Sequence, residues 1–551
     1  GQPPGPATAE GWDDWGPFYT PMYAQHVGLN GSTVEMCNQT DDDCAVPGTT
    51  PFAYGRLGSR IIQESVVWSS LLFDLENRNE LLFDELERYR RGVANEPRPE
   101  CCEPPFDVDN NWMEEYPTAY LIPMGSGQRS EPEANRLVDW LLTNGILVGE
   151  LKQAYTFDGV SYPAGSYVVL MNQAHRGLAD TALGIGADIS EDISILYAPP
   201  AAWSHGYLWG ADVVRVPQEA TFTPQTNRIL KASHLLGGVE PGTATGYALK
   251  IDSPTAVRTL NALMDGGLTA DLALASFASA GGATLPTGSA IFAADSATKV
   301  RLATIGRAND VWFHRVGASA PPTEPIDRKP RIMVLTGALN QDVWSLQNLG
   351  FTPEFKSIAQ LNSEPQDPLS GFDVIWNTGA WPTAANLATA RARLTSFFQS
   401  GGGYIGAGAN GARFLAGGGF VTGLTAAAVP TGTGVSAIVN WDNVGGAASP
   451  ITGASPARDT AIMDPPTWFT AVPATMSVDG RFPDGALADV IGSGFWPEDA
   501  QSASAPGSAV IAHGTTAGSS RATVFAMNPL YRADPEREWS MAGLAAYWAD
   551  Q

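Results

Sequence analysis

The sequence predicts a multidomain α/β protein. Three observations carry this: the chain length, an internal repeat of one strand–helix–strand pattern, and apolar strands alternating with helices toward the carboxyl end. At 551 residues the chain exceeds one ordinary core, and usual domain sizes imply three or four domains. Apolar residues make up 44% of the chain, enough to fill packed interiors. The expected division is 1–98, a repeat of 117–198 and 199–317, a linker at 318–330, and a carboxyl-terminal domain at 331–551.

The repeat opens with the strand Tyr120-Leu-Ile-Pro123 and an amphipathic helix, Glu133-Ala-Asn-Arg-Leu-Val-Asp-Trp-Leu-Leu142, stopped by Asn144-Gly145. Strands then run through Tyr162-Pro-Ala-Gly-Ser-Tyr-Val-Val-Leu170. The same order returns about 125 residues later, as period analysis expects of a duplicated unit. There Tyr247-Ala-Leu-Lys250 is the strand, the helix begins at Ser253-Pro254, and Asp265-Gly-Gly267 stops it. Phe277 matches Phe157, and Leu285-Pro-Thr-Gly-Ser-Ala-Ile-Phe292 matches the Tyr-Pro-Ala-Gly-Ser strand. Neither copy carries a convergent set of titratable groups in sequence, so the pair reads as structural.

The proline-rich stretch at 318–330 reads as a linker. Beyond it, Arg331-Ile-Met-Val-Leu335 and Phe372-Asp-Val-Ile-Trp376 are continuous apolar strands separated by a helix. Such strands belong to a parallel sheet covered on both faces.

Charge narrows the partners. With 57 acidic against 32 basic side chains the net charge is −25, which repels nucleic acid and anionic membranes. No apolar run reaches the roughly 18 residues needed to span a bilayer. Cys37, Cys44, Cys101 and Cys102, an even count near one end, suit disulfides in an oxidising, extracellular compartment, with three pairings open. A four-thiolate zinc site is the alternative, disfavoured because Cys101 and Cys102 are adjacent. Asp41, Asp42 and Asp43 offer oxygen ligands for calcium, or simply a solvated acidic loop.

The carboxyl-terminal domain resembles the class I glutamine amidotransferase-like fold, in the branch of ThuA-like proteins. The resemblance rests on Gly401-Gly-Gly-Tyr-Ile-Gly-Ala-Gly-Ala-Asn410 and Asn528-Pro-Leu-Tyr-Arg532. It implies a flavodoxin-like parallel sheet and a strand-to-helix turn where active relatives carry a cysteine nucleophile. That position falls at Gly408, which has nothing to attack with, so the domain is expected to be non-catalytic. Its glycine-rich turn could cradle an anion or a sugar.

The amino-terminal segment resembles the end of a carboxypeptidase A-like zinc peptidase domain. Trp12-Asp-Asp-Trp15, Gly28-Leu29 and Ser32-Thr-Val-Glu-Met36, followed by a long helix from Gly58, carry that resemblance. It implies a peptide substrate, Glu35 as the general base for a zinc-bound water, and substrate contacts from Tyr19, Tyr23 and His26. None of the six histidines has a glutamate three residues later, so the zinc ligands are expected outside this chain, on an amino-terminal peptidase half of the same precursor or on another chain. A secreted metallocarboxypeptidase-like hydrolase seen without its metal half is thus the first expectation. A non-enzymatic secreted or cell-surface protein that binds a glycan or peptide is the second.

Overall fold

The computed structural model describes residues 19–29, 31, 55–96, 116–191, 202–233, 237–335, 340–379, 384–429, 435–499 and 501–551. Glu35, Asp41, Asp42, Asp43 and the four cysteines lie outside the described residues, as does the strand-like run at 32–36. The described part of 19–96 is helical: a short helix, Thr20–His26, and a helix of 39 residues, Gly55–Val93. Arg90 and Arg91 in the last turn complement the helix dipole, and both pair with Glu87 at 2.7 and 2.9 Å. Those two hydrogen-bonded partners hold the Glu87 carboxyl down to about 2. Trp68, Leu71, Leu75, Leu82, Phe83 and Leu86 on this helix are each more than half exposed.

The repeat is present in three dimensions. In the first unit the antiparallel strand order is Val214–Val216, Ala119–Ile122, Tyr167–Leu170, Gly149–Leu151, Thr226–Arg228. The second runs Trp312–Val316, Gly246–Leu249, Ala290–Ala293, Ala270–Ala273, Thr323–Ile326, again antiparallel, with Gly238–Val239 added in parallel outside Trp312–Val316. In each unit the first strand in sequence leads into the principal helix, Glu131–Thr143 or Pro254–Asp265. In each, a small hairpin precedes the central strand. The matching turn glycines, Gly165 and Gly288, have φ of 89° and 85°, a left-handed conformation that explains why both copies keep glycine there.

Two boundaries differ from the sequence reading. Val214–Val216 and Thr226–Arg228 complete the first sheet, so the first unit extends well past 198. Residues within 318–330 are not a free linker: Thr323–Ile326 pairs with Ala270–Ala273 as the second sheet's edge strand. A proline there, Pro325, is tolerated at an edge because it removes no ladder bond on the solvent side.

Five parallel strands form the centre of the carboxyl-terminal domain, in the order Glu354–Lys356, Ile332–Leu335, Val374–Asn377, Gly403–Ala407, Arg521–Phe525. This is the flavodoxin-like order 2-1-3-4-5. Between the fourth and fifth strands the chain inserts an antiparallel extension that includes Ser436–Asn443, Arg458–Met463, Met476–Arg481 and Ala509–Thr515. The last helix, Trp539–Ala549, is apolar on all sides because it lies between this sheet and the helix Pro254–Asp265. Gly543 permits that approach; a Cβ there would sit 2.6 Å from Val257. One hydrophobic core therefore runs through the second unit and the carboxyl-terminal domain, whereas the first unit has its own.

The first unit is joined to the rest by buried charge and by a small apolar cluster, Ala202 and Leu208 with Ile438, Ile462 and Tyr531. Asp459 accepts from Arg129 at 2.5 Å and from the Arg537 Nε, and Arg537 reaches Asp212 at 3.4 Å. Burial alone would push the Asp459 carboxyl up, but the two guanidinium groups outweigh it and hold it below the usual range. Nearby, buried Glu133 links the first unit to the second and, through Arg136, to the carboxyl-terminal domain. It accepts from Thr255 Oγ1 of the second unit at 2.7 Å, and pairs at 2.9 Å with Arg136, which bridges to Glu536 at 2.5 Å. The helix of the repeat was read as purely structural, and these groups converge only across units.

The repeat also makes a sharp comparison of helix caps. Ser253 accepts from the Ala256 N–H at 3.2 Å, while the equivalent Ser130 makes no cap bond and its buried hydroxyl has no partner. Ser253→Ala is expected to cost about 1 kcal/mol in urea unfolding, and Ser130→Ala close to nothing. Equal losses at the two serines would contradict this.

Candidate functional site

The strongest candidate lies where the parallel strands end, the usual position for ligands in open α/β sheets. Gly403–Ala407 is wholly buried and passes directly into the helix Gly408–Gly417. Tyr404 fixes that junction: its hydroxyl donates to the Gly411 carbonyl at 2.8 Å and accepts from Asn377 at 3.0 Å. Gly408 sits at the turn with φ of 65°, and a Cβ built on it would meet nothing within 4 Å. The space it would enter is a cavity of about 560 Å³, lined by Thr378, Asn410, Arg413, Asp464, Thr467 and Asn528 among others. The helix opens without a side-chain cap at Ala407, and its first amide, the Gly408 N–H, donates to the Met527 carbonyl at 3.3 Å.

This is the geometry of a nucleophile elbow with the side chain removed. Among the described residues that line the cavity there is no Cys, Ser or His, and Asp464 is the one carboxylate. Burial pushes the Asp464 carboxyl up, against the opposing hydrogen bond from the Tyr531 hydroxyl. Behind the wall, Asp342 accepts from Thr378 Oγ1 at 2.5 Å and from Asn528 Nδ2 at 3.2 Å. Both its oxygens are thereby engaged, and burial pushes it up to about 6.

A second cavity, about 460 Å³, adjoins the first through Ile462 and Tyr531, which line both. Its walls combine Trp140, Trp203, His205 and Trp209 of the first unit with Tyr531, Arg532 and Asp534. His205 stacks on Trp209 at 4.0 Å, Trp140 meets His205 edge-on at 4.7 Å, and Trp209 Nε1 donates to Asp534 at 3.1 Å. Burial holds His205 below its ordinary pKa, hence neutral, and its Nδ1 has no hydrogen-bond partner. Arg532 and Ala533 both adopt left-handed backbone, φ 49° and 60°, a strain of about 1 kcal/mol or more each that commonly marks functional positions.

The residues expected from sequence fall as follows. Tyr23 lines the aromatic cavity, and its hydroxyl donates to Asn144 Oδ1 at 2.5 Å. Tyr19 caps and His26 ends the same short helix, and neither lines the two cavities. Glu35 is outside the described residues, so no structure joins it to these three. Among the described residues no three His, Cys, Asp or Glu side chains converge as metal ligands. No described helix is long and apolar enough to cross a membrane.

No family model matches the chain, and no curated protein matches it. Solved structures do. A ThuA-like protein from Parabacteroides merdae is 11% identical, covering 41% of this chain and 91% of that one, with a TM-score of 0.28. A glutamine amidotransferase from Thermotoga maritima is 9% identical over 40% of this chain and 96% of that one, TM-score 0.26. PurLQS from the same organism is 15% identical over 40% and 99%, TM-score 0.27. None of the three bears on the carboxypeptidase resemblance. The strand order, and not these scores, establishes the flavodoxin-like sheet.

Asp342 supplies a pH test. Its folded-state pKa of about 6 lies above the unfolded value of about 3.9, so folding favours the protonated acid. Its effect is neutral below pH ~4, and stability is lost as pH rises from ~4 to ~6. The stability of the wild type relative to Asp342→Asn should fall across that window by on the order of 2 kcal/mol, measured by urea unfolding. Parallel pH profiles would contradict this assignment.

Proposed function

We propose that this chain is a non-enzymatic, secreted or cell-surface binding protein whose carboxyl-terminal domain holds a neutral glycan over the turn at Gly408. The observation that supports this most is the turn itself: a left-handed residue facing an open cavity, with no side chain to act as nucleophile. Hydrolysis of a glycosidic bond ordinarily uses two carboxyl groups flanking it, and Asp464 is alone among the described lining residues. What remains is hydrogen-bonding chemistry. Thr378, Asn410, Thr467 and Asn528 present hydroxyl and amide groups, Asp464 leans toward its neutral acid, and Arg413 is the single cation among the described lining residues. Such a set suits the hydroxyls of a sugar better than a highly charged ligand.

The peptidase reading of Glu35, with zinc held by groups outside the chain, rests on residues outside those described. Nothing among the described residues adds to it.

Gly408→Cys tests the site. The variant should fold at a cost of about 1 kcal/mol for a side chain at positive φ. Its thiol, at a helix amino terminus, should react readily with iodoacetamide. Cellotetraose, chitotetraose or maltotetraose at about 10 mM should slow that alkylation roughly tenfold. An unreactive thiol, or no protection by any of the three, would contradict the proposal.

A further inference from the structure

The aromatic cavity has no part in the reading of the Gly408 cleft, yet it has the features of a ligand site. Six rings line it: Tyr23, Trp140, Trp203, His205, Trp209 and Tyr531. They come from the amino-terminal helix, the first unit and the carboxyl-terminal domain. A hydrophobic interior built from one segment would not require three separate bodies to meet. At about 460 Å³ the space also exceeds any ordinary packing defect.

The polar groups define what fits. Charge is confined to Arg532, which is exposed, and to Asp534, one oxygen of which is taken by Trp209 Nε1. Burial keeps His205 neutral, and its ring packs against Trp209 and Trp140 as part of the aromatic wall. A cationic ligand is disfavoured, because the Arg136 guanidinium already lies 4.8 Å from the Trp209 ring and Arg532 lines the same space. A fully apolar ligand would leave Arg532 and Asp534 unanswered. A sugar ring answers both: its C–H faces pack on aromatic side chains, and its hydroxyls meet the rim.

Ile462 and Tyr531 line both cavities, which adjoin each other at these two side chains. Arg532, left-handed like Ala533 after it, follows Tyr531 directly and lines the second cavity. We infer that the aromatic cavity is a second sugar subsite, and that the ligand is a neutral oligosaccharide extending from Gly408 to the Trp203–Tyr23 side. The extended ligand rests on the cleft reading above; the aromatic subsite stands on its own observations.

The test is a titration of intrinsic tryptophan emission with cellotetraose, chitotetraose and maltotetraose, using the full chain, Trp203→Ala and Tyr23→Ala. One of the three should bind the wild type, and each substitution should weaken that sugar roughly tenfold. Two substitutions are used because Tyr23 is 39% exposed and its loss leaves the first unit's core intact. Binding that ignores both substitutions while protecting the Gly408→Cys thiol overturns the subsite and leaves the cleft reading in place. Binding that needs Trp203 and Tyr23 but leaves that thiol unprotected supports the subsite and overturns the cleft. No binding of any of the three overturns both.

Discussion

Asp459 lies on the inserted antiparallel layer, 2% exposed, between an arginine of the first unit and an arginine that precedes the last helix. The rest of the arrangement depends on that contact. The second unit shares a continuous hydrophobic core with the carboxyl-terminal domain and would stay attached without it. The first unit has a main core of its own and is joined to the carboxyl-terminal domain both by an apolar cluster, Ala202 and Leu208 with Ile438, Ile462 and Tyr531, and by charge, Arg129 to Asp459 and Arg136 to Glu536. Buried ion pairs add little net stability over apolar packing, but removing one partner costs about 3–5 kcal/mol because the other is left buried and unpaired. Here loss of Asp459 would strand the Arg129 guanidinium and leave Arg537 only its 3.4 Å contact with Asp212. Against a total stability of about 5–15 kcal/mol, that is enough to separate a unit.

Separation matters because the aromatic cavity exists only between the docked bodies. Trp140, Trp203 and Trp209 come from one side, and Ile462, Tyr531 and Asp534 from the other. The charge cluster also reaches that wall directly, since Arg136, paired with Glu133 and Glu536, lies over the Trp209 ring. Glu536 itself is pushed up to about 7, first by burial and partly by Glu133, while Arg136 pulls it down. Docking, the aromatic box and the turn at Gly408 therefore form one connected chain of contacts.

Much of the fold was legible from the residues. Continuous apolar runs such as Ile332–Leu335 and Val374–Asn377 announced a parallel sheet. The repeated proline–glycine turns at Gly165 and Gly288 announced the duplication, since both require left-handed backbone. Gly408 was legible as well, because a strand-to-helix turn constrains its residue locally. The boundary between the repeated units was not. Val214–Val216 and Thr226–Arg228 are three residues each, too short for a period to show, and they return to a sheet begun nearly a hundred residues earlier. The antiparallel insertion was hidden for a similar reason: its pairing is set by tertiary contact and not by alternation. Tyr23, Trp140, Trp203 and Tyr531 carried no joint signal, being spread along almost the whole chain. Tyr531 was singled out within Asn528-Pro-Leu-Tyr-Arg532, but its neighbours in space were not.

The central claim is that buried charge at Asp459 holds the first unit against the carboxyl-terminal domain and thereby builds the aromatic cavity. Amide hydrogen exchange of Asp459→Ala against the wild type tests it most directly. The account predicts lost protection at residues 202–214 and 531–538, which face each other across the interface, with the parallel strands Gly403–Ala407 and Arg521–Phe525 as protected as before. Unchanged protection across 202–214 and 531–538 would contradict it.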